Sequence, residues 1–217
     1  MSAITVLLAE DHTVVRKGLL YILENEPGIT ILGEAENGRE AIQKAETLQP
    51  DIVLMDIGMP ELNGLEATRQ IRQRWPEIQV LILTMHATEE YVYQVLEAGA
   101  AGYVVKKAAP EELITAIRTV KEGQAYLSPE ISSIVIERVR RGGSADANDS
   151  LNLLTDRERE VLQLLAEGYT NQEIANKLVV AASTVAVHRF NLMRKLDLHT
   201  TADLVKYAIQ KSITGVG

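Results

Sequence analysis

The chain has 217 residues, no cysteine and a net charge of -8 at pH 7, a length that suits one large domain or two small ones, each able to bury a core. Without cysteine there is neither a disulfide nor a thiolate metal site, which fits a reducing compartment. No apolar run approaches the roughly 20 residues needed to span a bilayer, and Met1-Ser2-Ala3-Ile4-Thr5 lacks the charged and apolar regions of a signal peptide. A cytoplasmic protein without membrane contact is therefore expected. Residues 1–127 carry 11 Lys and Arg against 19 Asp and Glu, whereas residues 150–217 carry 8 against 7. An acidic front half suits a bound cation, and the near-neutral tail can carry a local basic face.

In chain order, the first apolar run, Val6-Leu7-Leu8-Ala9, stops at Glu10 and Asp11. A helical pattern over 13–26, a strand over 29–35 and a second helical pattern over 38–48 follow. Ile52-Val53-Leu54-Met55 then stops at Asp56, with Gly58, Met59 and Pro60 directly after it. Beyond a helix over 64–73, Val80-Leu81-Ile82-Leu83 ends at Thr84. Beyond another over 89–98, Tyr103-Val104-Val105 ends at Lys106, and Pro110-Glu111-Glu112 opens a helix over 110–122. Proline lacks the amide that a first turn would leave orphaned, and the two acids oppose the helix dipole. Short apolar runs bounded by turn residues read as strands buried on both faces. Their alternation with helices predicts a doubly wound α/β fold around a five-stranded parallel sheet.

In such sheets ligands sit beyond the carboxyl ends of the strands. An acid pair, a single acid, a hydroxyl and an amine all end there. A lone Asp at a strand end can equally cap the next helix, but the four complementary groups together are hard to explain as independent caps. The set Glu10, Asp11, Asp56, Thr84 and Lys106 resembles the receiver domain of two-component response regulators over about residues 1–127. The resemblance implies strand order 2-1-3-4-5. It also implies that Asp56 accepts a phosphoryl group from a sensor histidine kinase and that Mg2+ is held by Glu10, Asp11, Asp56 and the Gly58 carbonyl. In the same pattern Thr84 and Lys106 bind the phosphoryl oxygens, and Thr84 with Tyr103 forms a switch in which the aromatic ring turns inward. Tyr103 also suits plain core packing. Lys107 is the alternative amine, but if the strand continues, alternation points it to the other face. His12 and His86 flank the site without a metal-binding spacing, and His12 reads as a helix-start residue lining the acidic cleft. An aspartyl-phosphate phosphatase would need D-x-D, and Gly58 stands at its second acid, so no enzyme is expected.

Residues 129–141 read as one more helix, and Gly142-Gly143-Ser144-Ala145-Asp146-Ala147-Asn148-Asp149-Ser150 as a flexible linker, because small polar residues bury too little surface to offset ordering entropy. The expected division is 1–127, a helix and linker at 128–150, and a small all-α domain at 151–217. Thr155 with Glu158 and Thr170 with Glu173 are capping boxes that open two short helices. A longer helix over 183–196 and a fourth near 201–211 follow. The strings Leu154-Thr155-x-Arg157-Glu158-x-Glu160-Val161-Leu162, Asn171-x-Glu173-Ile174-Ala175, Thr184-Val185-x-Val187-His188 and Lys195-Leu196 resemble the helix-turn-helix domain of LuxR-type regulators. The whole chain thus resembles a NarL/FixJ-type response regulator. The resemblance implies double-stranded DNA as a partner, a homodimer on activation, and DNA contacts from Ser183, Thr184, Ala186, Val187, His188, Arg189, Phe190, Arg194 and Lys195. Ala181, Ser183 and Ala186 are smaller or less polar than the pattern usually has. Ala186 and Val187 suit thymine methyl groups, whereas Phe190 suits either the bases or the core. The alternative is a phosphoswitch that acts through protein contacts with weak or no DNA binding.

Overall fold

In the computed structural model, residues 3–85, 88–140, 153–211 and 213 are described. The chain divides into two compact units, Met1–Gly143 and Ser144–Gly217. The expected linker at 142–150 and His86 lie outside the described residues. No helix among the described residues is long and apolar enough to cross a membrane.

The first unit alternates β1 (Ile4–Ala9), α1 (Thr13–Glu24), β2 (Ile29–Ala35), α2 (Gly38–Leu48), β3 (Ile52–Asp56), α3 (Gly64–Arg74), β4 (Gln79–Thr84), α4 (Glu89–Glu97), β5 (Gly102–Val105) and α5 (Pro110–Lys121). It then adds β6 (Tyr126–Leu127) and α6 (Pro129–Arg140). All pairings are parallel, in the order β2-β1-β3-β4-β5-β6. The expectation of five strands is thereby corrected to six, because Tyr126 and Leu127 pair with Gly102 and Tyr103 at the β5 edge. Two residues are too few to carry a periodicity, so this strand has no signature of its own.

Period-two alternation sends successive strand residues to opposite faces. Val6, Leu8, Leu54, Leu81 and Val104 pack with Leu23 of α1 and with Leu113, Ala116, Ile117 and Val120 of α5. Leu7, Val53, Met55, Ile82 and Tyr103 pack on the other face with residues of α2, α3 and α4, joined by Ile131 of α6. With helices on both faces, the strand ends are left as the open edge.

The second unit holds α7 (Asp156–Ala166), α8 (Asn171–Leu178), α9 (Ala182–Leu196) and α10 (Thr201–Gln210) around Leu162, Leu165, Ile174, Val185, Leu192 and Leu204. Both expected capping boxes form, and Thr200 with Asp203 makes a third at α10. α9 begins one residue earlier than expected, at Ala182, and its N-cap Ala181 makes no side-chain cap hydrogen bond. Val179, exposed, closes α8 in the left-handed region at φ 52°.

One close approach ties the fold to the strand ends. A Cβ built on Gly64, the first residue of α3, would stand 1.8 Å from the Asp56 carbonyl oxygen. Backbone cannot yield as a flexible side chain can, so Gly64→Ala should cost about 1–3 kcal/mol, read as a lowered urea midpoint. Because Trp75, the chain's one tryptophan, directly follows α3, its fluorescence reports that transition. An unchanged midpoint would mean that α3 is not seated against Asp56.

Candidate functional site

β3 is central in the sheet, with β1 on one side and β4 then β5 on the other. The strand ends therefore converge on Asp56, which is 5% exposed. Its Oδ1 accepts the Ile57 backbone N–H at 2.8 Å, and its Oδ2 stands 2.9 Å from Lys106 Nζ. The same ammonium lies 2.7 Å from Oε2 of fully buried Glu10. The His12 backbone N–H donates to Glu10 Oε1 at 3.1 Å, and its imidazole Nδ1 lies 2.8 Å from Asp11 Oδ1 and 3.2 Å from Glu10 Oε1. Ligand atoms of Glu10, Asp11, His12 and Asp56 all fall within 4.8 Å of one another.

Charge at this edge is unbalanced. Burial pushes the Asp56 carboxyl above its ordinary value; Lys106 opposes that shift, while Glu10 and Asp11 reinforce it. Burial disfavours the Lys106 ammonium, but Asp56 and Glu10 outweigh it and raise the lysine's pKa. Three carboxylates thus face one ammonium, and oxygen-rich, anionic surroundings of this kind fit a hard divalent cation such as Mg2+. Gly58, half-buried, lies in the loop after β3.

Thr84 at the end of β4 is buried, and its side chain is hydrogen-bonded to that of Tyr103, whose ring is fully buried. Burial raises the Tyr103 hydroxyl far above its ordinary pKa, with the Thr84 hydrogen bond opposing and nearby Tyr91 of α4 adding to the rise. The Tyr103 ring is thus turned inward, onto Thr84. β5 ends at Val105, so Lys107 lies in the turn after it rather than on a continuing strand, and its Nζ lies 2.7 Å from Glu130 of α6.

Two contributors were not anticipated. Arg16, buried on α1, donates through Nη1 to the Glu10 carbonyl at 2.7 Å and to the Asp11 carbonyl at 3.4 Å. Its Nε and Nη2 donate to Glu34 at 3.1 Å and to Glu36 at 2.7 Å, so a single guanidinium fixes the loop that carries the acid pair. The available signal was a cation in the stripe with Leu19, Leu20 and Leu23, three, four and seven residues on, where an apolar side chain belongs. The second contributor is α6, fastened to the turn after β5 and to α4. Besides Lys107–Glu130, the Arg138 guanidinium lies 3.9 Å from the Tyr93 ring centroid and 3.9 Å from Glu89, and the Tyr93 hydroxyl donates to the Val135 carbonyl at 3.3 Å.

In the tail, Ser183, Ala186, Val187, Phe190 and Arg194 are exposed on α9 at spacings that share one face, and Thr184 is exposed beside them. His188 and Arg189 are half-buried, with the Arg189 guanidinium donating to Thr201 of α10. Lys195 Nζ pairs with buried Glu158 at 2.6 Å. Arg194 is therefore the cation that the last turn presents to solvent, while Lys195 braces α9 against α7. Phe190, open to either use in the sequence, lies outside the core.

Residues 6–118 match the response regulator receiver domain, and residues 152–208 match the bacterial regulatory proteins of the luxR family. The chain is a two-component response regulator of the NarL/FixJ type. It is similar to the oxygen regulatory protein NreC of Staphylococcus carnosus (strain TM300), at 41% identity over 96% of this chain and 98% of the relative. Among solved structures, a LuxR-family two-component response regulator from Aurantimonas sp. SI85-9A1 matches at 40% identity and TM-score 0.61, over 64% of this chain and 99% of that one. Two RcsB dimers bound to two parallel DNAs match at 26% identity and TM-score 0.59, over 95% and 98%. A receiver domain joined to a LuxR-type DNA-binding domain accounts for both units of this regulator.

The Glu158–Lys195 pair makes the regulator's tail acid-sensitive. Burial alone would raise the Glu158 carboxyl, but the bonds from Lys195 and Thr155 hold it below its ordinary 4.5. A depressed folded-state value stabilises above the unfolded value and is lost as pH falls through the folded one. Glu158→Gln should cost about 1.5–3 kcal/mol at pH 7 and flatten the acid limb of the helical unfolding transition, followed by circular dichroism. Unaltered acid dependence would show that the pair does not hold the tail.

Proposed function

We propose that this regulator is controlled by phosphorylation of Asp56 from a sensor histidine kinase and that the modified state governs DNA occupancy by the tail. The observation that carries this is Lys106, whose single ammonium touches both Asp56 and Glu10. In the reaction, a carboxylate oxygen of Asp56 attacks phosphorus in line. The bond to the donor's imidazole nitrogen breaks, and its electron pair leaves with the imidazole. Charge gathers on the equatorial oxygens, where a fixed ammonium stabilises it without reorganisation. Glu10, Asp11 and Asp56, with the Gly58 carbonyl, would hold Mg2+, which supplies further charge neutralisation when bound. Arg16 keeps the acid pair in register through their backbone carbonyls.

In this reading residues 1–127 are the phosphoacceptor module, 128–150 the connection and 151–217 the DNA-binding module. Thr84 exchanges its bond with Tyr103 for a phosphoryl oxygen. Tyr103 shares its cluster with Ile131 of α6, and α6 is also tied to Lys107 and to α4, so the exchange is felt by the helix that precedes the connection. The tail then dimerises and binds DNA with α9, placing Ser183, Thr184, Ala186, Val187, His188 and Phe190 towards the bases and Arg189 and Arg194 at the flanks. A second reading, regulation through protein contacts, is favoured by uncapped Ala181 and by the engagement of Arg189 and Lys195 within the tail.

Intact-mass spectrometry after acetyl phosphate and Mg2+ tests the first step. Wild type should gain the mass of one phosphoryl group and Asp56→Asn should gain none. Equal labelling of the two proteins would move the acceptor elsewhere.

A further inference from the structure

We infer that α9 recognises thymine 5-methyl groups in the DNA major groove through Ala186, Val187 and Phe190. This rests on the proposed DNA-binding role and specifies the chemistry read there. Val187 is 56% exposed and Phe190 65% exposed, so neither serves the domain core. With exposed Ala186 they form the middle of the outward stripe, at positions i, i+1 and i+4, where residues four apart stack on one face.

None of the three side chains carries a hydrogen-bond donor or acceptor. The polar groups of the stripe stand at its ends, Ser183 at the start and Arg194 near the finish. Of the two nearby cations, Arg189 donates to Thr201 and Lys195 pairs with Glu158, both off the stripe. The exposed middle of the stripe, Ala186, Val187 and Phe190, offers a base edge apolar surface, with half-buried His188 beside it.

The major groove presents donors and acceptors on every base, and its one apolar group is the thymine 5-methyl. Set against guanine O6 and N7 or the cytosine amino group, a phenyl ring and a valine would strip water from polar atoms and return no partner. Set against thymine, the same surface buries a methyl group. Discrimination therefore comes from both sides, a gain at thymine and a penalty at G·C. Ala186 to Phe190 spans about 6 Å of helix axis, against a rise of about 3.4 Å per base pair, so the patch covers about two neighbouring base pairs. The occupant it fits is a thymine-bearing step within each half-site.

The test uses the full chain, treated with acetyl phosphate and Mg2+. A pool of random-sequence duplexes is selected for binding, and the selected duplex is remade with deoxyuridine, then 5-bromodeoxyuridine, at each thymine. Uracil lacks only the methyl group, and bromine restores its bulk. Affinity should fall about fourfold for each contacted methyl removed and return with bromine. In Phe190→Ala the distinction between thymine and uracil should shrink while sizing and helical content stay those of wild type, because the side chain is exposed. Equal affinity of wild type for the thymine and uracil duplexes would overturn the inference and leave DNA binding intact. Absence of any selected duplex, even at low salt, would overturn the DNA-binding reading itself and this inference with it. Association of the chain with itself that Phe190→Ala abolishes, with no change in thymine discrimination, would assign the patch to a second copy instead.

Discussion

One ammonium shared between two buried carboxylates sets the character of the receiver. Lys106 stands within 3 Å of Asp56 and of Glu10, while Asp11 and His12 crowd the same edge. Removing charges from water is costly unless they are paired, so without Lys106 the edge would be a concentration of repelling acids. With it three carboxylates still face one ammonium, and burial first, then Glu10 and Asp11, raise the Asp56 carboxyl against the pull of Lys106. In the proposed function that excess of carboxylates receives a cation and, with it, a phosphoryl group.

The scaffold keeps this edge assembled by ordinary means. Alternating strand residues bury both sheet faces, α3 seats directly on the Asp56 backbone through Gly64, and Arg16 binds the carbonyls of the acid pair. The opposite rim of the site is formed by buried Thr84 and Tyr103. Thr84 and Tyr103 share a hydrogen bond, which in the proposed function a phosphoryl oxygen replaces, and the ring belongs to the cluster that seats α6. Chemistry at the strand ends and the start of the connecting segment thus share one layer of packing.

Strand ends were legible because an apolar run that stops at a charged or hydroxylated residue is a local signal, repeated four times. Capping boxes were legible for the same reason, since Thr155 and Thr170 each stand three residues from a glutamate. What was missed depends on tertiary neighbours. β6 has two residues and pairs only because the end of α5 delivers it to the β5 edge. The role of Arg16 depends on β2 and its loop supplying Glu34 and Glu36. That Phe190 faces solvent while Lys195 is engaged follows from how α9 sits on α7 and α10, which no spacing within α9 reveals.

The central claim is that occupancy of Asp56 is felt beyond it through Thr84, Tyr103 and α6. Amide hydrogen exchange of the full chain with Mg2+, with and without beryllofluoride, reads this most directly, with fluorine resonance confirming that the site is filled. Protection should change from Thr84 to Lys106 and along α6, with the β1 and β3 interiors unchanged. Identical protection in α4, β5 and α6 at full occupancy would contradict it.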